Sequence, residues 1–233
     1  MPPYLYFTKL YMRRTFSVIL LVLALAASAT AQDIYPLGQR IGLQLGSAVP
    51  IGDFSKDRFE DEFPPMASKG TMVQGSYARD LKPGIAWGVT AGWRWNRFDL
   101  DRFAQEDDEL VMSRRASAWQ SGFVLADLYL QSKVQRFFGY VKGSVGGAYS
   151  QSPDLQVNTS YGPIARTPDS AVSIAYGLAG GIGVQAKQVN FSMEIGTLAS
   201  RPTFEVSDAQ GQRFRYKQSM QTVHVNLGVS YTL

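Results

Sequence analysis

VHVNLGVSYTL, residues 223 to 233, decides the reading of this chain. Val223, Val225, Leu227, Val229, Tyr231 and Leu233 are apolar, while His224, Asn226, Gly228, Ser230 and Thr232 between them are polar or small. Strict alternation is the mark of a strand with one oily and one wet face. A strand of a soluble sandwich shows the same period. A chain that stops at the end of such a strand, on an apolar residue with an aromatic two positions earlier, points instead to a transmembrane β-barrel.

Working back from that strand, seven more segments repeat the pattern, at about Arg40–Val49, Thr71–Asp80, Gly84–Phe98, Ala118–Leu130, Phe137–Tyr149, Val172–Gln185 and Val189–Leu198, with the last at Thr222–Leu233. Most reach the ~9–11 residues that a tilted membrane strand needs. The fourth, with FVLADLYL at residues 123–130, is apolar on both faces, so its register and the direction of Asp127 stay open. The links alternate in length. Leu81–Pro83, Gln131–Arg136 and Ala186–Gln188 are short, whereas Pro50–Gly70, Asp99–Ser117, Ser150–Ala171 and Ala199–Gln221 are long. Short periplasmic turns and long outer loops are the rule in outer-membrane barrels. The expectation is an all-β, eight-stranded antiparallel up-and-down barrel over residues 32–233, with both termini periplasmic and the long loops extracellular.

The aromatics sharpen this. Tyr77, Trp87, Phe137 and Tyr231 fall at one end of their strands and Trp93, Trp95, Tyr149 and Tyr176 at the other, all on the apolar parity. Two aromatic belts around an aliphatic band match a membrane with two interfaces. In a soluble sandwich the glycine-rich faces would have to lie outside, where they make a poor surface.

The 31 residues before that region read as a leader. Arg13 and Arg14 form a basic start, Phe16–Ala27 an apolar stretch, and Ala29-Thr30-Ala31 a small-residue processing site, so cleavage is expected before Gln32, with Met1 or Met12 as start. The formal charge of +4 owes three units to Lys9, Arg13 and Arg14; without them 20 basic residues face 19 acidic ones, and a nucleic-acid reading loses its support. No cysteine is present, which in an exported chain of this size decides little.

The stretches IGLQLGSAVPIGDF (41–54), KPGIAWGVTAGWRW (82–95), FFGYVKGSVGGAY (137–149) and VNLGVSYTL (225–233) resemble the small outer-membrane β-barrel superfamily, which includes OmpA-like transmembrane domains and the PorT-like family. The resemblance covers the whole region after the leader. It implies an outer-membrane fold assembled by the barrel assembly machinery among outer-membrane lipid and lipopolysaccharide, with no cofactor. Ending on Leu233 departs from the family's usual aromatic terminus, and no peptidoglycan-binding domain follows the barrel.

Chemistry must come from the inward parity, which holds Arg40, Gln44, Gln74, Arg94, Lys142, Glu194, His224 and Asn226. Eight strands leave an interior just wide enough for side chains to fill. The expected role of these eight is a hydrogen-bonded polar plug in which buried charges pair. A small pore would require a continuous water path. A lipid A-modifying enzyme would rest on His224, the one histidine, with Glu194 and Ser192. Pairing Gly196 with Thr222 would set Glu194 directly opposite His224. Acidic clusters at Asp57, Glu60, Asp61 and Glu62 and at Glu106–Glu109 lack the spacing of a calcium loop. Gly177, Gly180, Gly181 and Gly183 precede no helix and cannot form a phosphate loop. The expected function is non-catalytic: structural, adhesive, or accessory to secretion or assembly.

Overall fold

The first strand pairs with the last, and that pairing closes the sheet. In the computed structural model, which describes residues 38–56, 64–104, 109–207 and 213–233, thirteen strands form. Eight are long: β1 (Gln39–Ile51), β2 (Ala67–Lys82), β3 (Ile85–Phe98), β5 (Trp119–Val134), β6 (Phe137–Gln151), β9 (Ser170–Ala186), β10 (Val189–Ser200) and β13 (Met220–Thr232). They make a closed antiparallel barrel in the order β1-β13-β10-β9-β6-β5-β3-β2, with Arg40 opposite Thr232 at the seam. Among the described residues no helix is long and apolar enough to cross a membrane; the chain crosses with strands.

The sheet's two faces differ as the alternation requires. Leu43, Leu178 and Leu227 are each more than 60% exposed on the outer wall, while Gln74, Glu194 and Asn226 are buried inside. Large aliphatic side chains all around a closed wall are intelligible only if hydrocarbon, not water, meets that wall. All eight belt aromatics take the outward parity of their strands, and Trp87, Trp95, Phe137, Tyr149, Tyr176 and Tyr231 are well exposed. From Trp87 to Trp95 is eight residues of β3, about 27 Å of strand at ~3.4 Å per residue. A tilt of roughly 40° reduces this to about 21 Å across the membrane, close to the ~25 Å apolar band of such barrels.

The short links are two-residue turns at Pro83–Gly84, Gln135–Arg136 and Lys187–Gln188, shorter than the sequence suggests because the strands run on into them. Gly84 has φ 80°, and Pro83 before it presets the turn. Gln135 (φ 55°) and Lys187 (φ 58°) hold left-handed conformations without being glycine.

The long links are not plain loops. A 3-10 turn, Gly52–Ser55, follows β1, and one helical turn, α1 (Leu100–Phe103), follows β3. β4 (Val111–Ala116), β7 (Leu155–Thr159) and β8 (Gly162–Arg166) form a three-stranded sheet from two different links. β11 (Thr203–Ser207) and β12 (Arg213–Lys217) form a hairpin. The leader, Asp57, Glu60, Asp61, Glu62 and Glu106–Asp108 lie outside the described residues.

The fourth long strand, β5, has its register settled by its neighbours. Asp127 pairs with Gly88 and Ser144, both inward, so Phe123, Leu125, Asp127 and Tyr129 face the interior and Val124, Ala126, Leu128 and Leu130 the lipid. The glycines of β9 lie inside a strand and serve packing. A Cβ at Gly181 would strike the ring of Tyr140, and one at Gly183 the ring of Phe138, both reaching across from β6.

Candidate functional site

Gln74, Arg94, Lys142, Glu194, His224 and Asn226 are buried inside the barrel, and Arg40 and Gln44 are half-buried on the inward parity of β1. At the turn end, Arg40 Nη2 donates to Gln131 Oε1 at 2.6 Å, Gln131 Nε2 donates to Asp80 Oδ1 at 2.7 Å, and Arg40 lies 3.5 Å from Asp80. This cluster links β1, β2 and β5 at the turn mouth around one charge pair.

The next layer is centred on Glu194. Its carboxylate meets Lys142 Nζ at 3.0 Å and accepts hydrogen bonds from Tyr140 Oη at 2.7 Å and Gln74 Nε2 at 3.2 Å. Gln74 also bonds Gln44 across β1 and β2. His224 Nε2 lies 3.4 Å from Glu194 Oε1. The partners come from β2, β6 and β13, so one carboxylate on β10 ties together strands from around the barrel.

The register of β10 and β13 differs from the expected one by one inward step. Glu194 faces Asn226, Gly196 faces His224 and Ser192 faces Gly228. The contact between Glu194 and His224 is therefore diagonal rather than directly opposed, a separation that a long side chain spans on one face of a sheet. Gly196, with no side chain, leaves the space above Glu194 into which His224 reaches. The link between these strands contains the β11–β12 hairpin, whose length sets no register from sequence.

A second carboxylate went unassigned in the sequence. Asp127 accepts from Thr90 Oγ1 and Ser144 Oγ, each at 2.5 Å, and from Tyr129 Oη at 3.4 Å. The signal that could have found Tyr140 was available: it shares parity with Lys142 two residues on. Asp127 could not be placed because both faces of its strand are apolar.

Toward the loop end the interior becomes more apolar. Ala48, Met72, Phe123, Leu125, Ala148, Ala175 and Leu198, from six of the eight barrel strands, form a buried apolar cluster. Arg94 lies beyond it, 2% exposed, donating to Thr222 Oγ1 at 2.8 Å and Ser121 Oγ at 3.2 Å; among the described residues no carboxylate pairs with it. The loop mouth is closed by Phe54, Ala67, Trp119, Phe204 and Met220. Phe54 and Phe204 pack on Trp119 with ring centroids 5.6 and 5.8 Å away, Trp119 Nε1 donates to Pro65 O at 2.8 Å, and the Arg94 guanidinium lies 5.6 Å from the Phe54 ring centre.

What this interior can do is limited by its volume. Two interior cavities measure about 20 Å³, between His224, Lys142 and Thr90 and the apolar residues Met72, Phe123, Leu125 and Leu198, and about 50 Å³, beside Arg40, Tyr129 and Tyr140. Spaces of this size hold one or a few waters. The enzyme constellation does not assemble either. His224 sits opposite Gly196, four residues along β10 from Ser192, about 13 Å of strand. Among the described residues no three His, Cys, Asp or Glu side chains gather as a metal site.

The rim beyond the loop mouth has its own chemistry. A cleft of about 720 Å³ is bordered by Arg97, Asp99, Asp101, Met112 and Arg114; Asp101 pairs with Arg114 at 2.7 Å and Asp99 with Arg102 at 3.4 Å. Arg166 of β8 lies over the Tyr216 ring of β12, tying the small sheet to the hairpin, and burial there pulls its guanidinium down to about 10. Tyr161, Met112 and Ile164 project from this rim at 88, 75 and 50% exposure.

A closed eight-stranded barrel with a lipid-compatible wall and a side-chain-filled lumen defines a transmembrane β-barrel of the outer-membrane type. No protein-family model matches the chain, and no curated protein matches it in sequence. Solved structures with similar folds include a major outer membrane protein of Thermus thermophilus, at 11% identity and TM-score 0.49, covering 84% of this chain and 99% of that one. Others are neisserial surface protein A (10%, TM-score 0.45, covering 83% and 96%) and the attachment invasion locus protein of Yersinia pestis (11%, TM-score 0.41, covering 85% and 100%).

Proposed function

We propose that this chain is a non-catalytic outer-membrane protein whose barrel is an anchor and whose rim does the work, as a structural or adhesive surface or an accessory to secretion or assembly. The observation that carries this reading is the lumen. Paired polar layers, a dry apolar cluster and an aromatic lid succeed one another from mouth to mouth, which favours a plug over a pore. The elements left over for function are the β4–β7–β8 sheet and the β11–β12 hairpin, with Tyr161, Met112 and Ile164 the most exposed large apolar side chains described there.

In this reading the leader is removed before Gln32 and the barrel assembly machinery inserts the rest. The termini lie in the periplasm and the rim faces outward among lipopolysaccharide. The alternation of two-residue turns with long structured links supports that orientation. The test pairs two measurements. Purified protein in planar bilayers should show no steady conductance. Cells carrying the variant M112S/Y161S/I164S should adhere to surfaces less than cells with the parent chain, at equal amounts of folded barrel. Steady channels from the parent chain would sink the reading, and unchanged adherence would remove its adhesive branch.

A further inference from the structure

At the loop end of β2 the ladder with β3 is irregular. Ala67 pairs with Phe98 and Gly70 with Asn96, so Ser68 and Lys69 together face Arg97. Two residues against one is a β-bulge, a device that re-aims a side chain. Asn96 secures it from inside, donating from Nδ2 to Ser68 O at 3.1 Å and to Ala48 O at 3.0 Å, and Ser68 Oγ bonds Arg97 O at 3.3 Å. The result is that Lys69 and Arg97, both exposed, stand opposite each other on the outer wall.

Like charges directly opposed across a sheet repel. Among the described residues neither side chain has an ion-pair partner. Their place on the wall is equally specific. Arg97 lies two residues beyond Trp95, and Trp95 pairs with Thr71, two residues beyond Lys69. Trp95 is 39% exposed and packs beside Trp93 with centroids 6.3 Å apart. Indole rings mark the level where hydrocarbon gives way to headgroups. The cation pair therefore sits about 7 Å of strand above that level, where lipid phosphates lie.

We propose that Lys69 and Arg97, with Trp95 beneath them, dock the phosphate of an anionic glycolipid of the outer leaflet. The proposal rests on the outward orientation of the rim argued above. The phosphate supplies the negative charge that the opposed cations lack, the guanidinium offers paired donors, and the indole covers the first acyl carbons. A membrane lipid is favoured over a free anion because the pair faces the wall, adjoining the apolar band, rather than the lumen.

The test uses the full chain in detergent with two probes, bis-phosphorylated lipid A and the same lipid with its phosphates removed, read by native mass spectrometry. The parent chain should retain the phosphorylated probe more strongly. K69Q/R97Q should bind it roughly thirtyfold more weakly, from loss of two cations at a headgroup surface. R79Q, which removes a cation beside Trp87 at the opposite end of the same strands, should bind as the parent does. Equal retention of both probes by the parent chain, or a double variant within about threefold of it, overturns the proposal. Both positions are exposed, and heat-modifiable migration on gels confirms that the variants are folded. Orientation is judged separately. The chain has no cysteine, so Tyr161→Cys should react with an impermeant maleimide on intact cells. Reaction only after permeabilisation refutes the orientation, and with it the outer-leaflet source, while the binding data still judge the cation pair.

Discussion

Replacing Glu194 by glutamine keeps the shape of the side chain and removes its charge, which isolates what the carboxylate does. Glu194 is 1% exposed and the Lys142 side chain 7%, so solvent cannot screen the loss. The ammonium of Lys142 would keep only the Tyr129 ring, 5.8 Å away, and a neutral amide oxygen. Tyr140 and Gln74 would each exchange a charge-assisted bond for a neutral one. Breaking a buried ion pair from one side costs about 3–5 kcal/mol, mostly from the charge left behind. The expected loss for Glu194→Gln is therefore about 3 kcal/mol or more. Lys142→Met in the same background should recover most of it, because no unpaired charge then remains. The assay is equilibrium urea unfolding in lipid vesicles, followed by the fluorescence of the four tryptophans. A single variant within 1 kcal/mol of the parent, or a double variant no better than the single, would show that the pair is solvated or unformed, and the plug argument would fail.

Arg94 provides the contrasting case: it is buried with two hydroxyls and the Phe54 ring as partners and no carboxylate among the described residues, so Arg94→Met should stay within about 1 kcal/mol of the parent or exceed it in the same unfolding assay. Gly181→Val should destabilise by about 1–3 kcal/mol, because its side chain would occupy the space of the Tyr140 ring that bonds Glu194; unchanged urea midpoints would contradict the packing. Lys187→Gly should stabilise by up to about 1 kcal/mol by relieving a left-handed backbone in the β9–β10 turn, visible as slower unfolding. Trp119→Ala should loosen the aromatic lid, so protease should cut the rim faster while the barrel core stays protected.

The barrel was legible because its signals are local. Alternation in residues such as Val223 to Leu233 records which face is wet, and the length of each link records which end it serves. The inward set was legible for the same reason: parity assigns Lys142 and Glu194 to one side whatever their partners. Partners are a different matter. Glu194 meets Lys142 from β6 and Gln74 from β2, contacts fixed by the stagger of strands around the closed sheet. The register of β10 against β13 is one inward step from the simplest guess, because the intervening hairpin transmits no count. Asp127 was undecidable until Gly88 and Ser144 on either side showed which way it turns. The rim strands β4, β7 and β8 are five or six residues long and pair across two separate links, so no contiguous pattern announces them.

The order of the layers also explains why a chain with so many interior charges can be closed. A polar lumen alone would invite water, since paired ions still accept hydrogen bonds from it. In the proposed reading, the cluster of Met72, Phe123, Leu125 and Leu198 with three alanines interrupts any such file. A water crossing that cluster would give up its hydrogen bonds without replacement, at a cost of several kcal/mol. The polar groups on either side can thus serve stability without serving transport. Opening the lumen would need a change in the apolar cluster itself. Phe123→Ser with Leu125→Ser should therefore raise bilayer conductance where Glu194→Gln does not. The reverse outcome would place the barrier in the Glu194 layer instead.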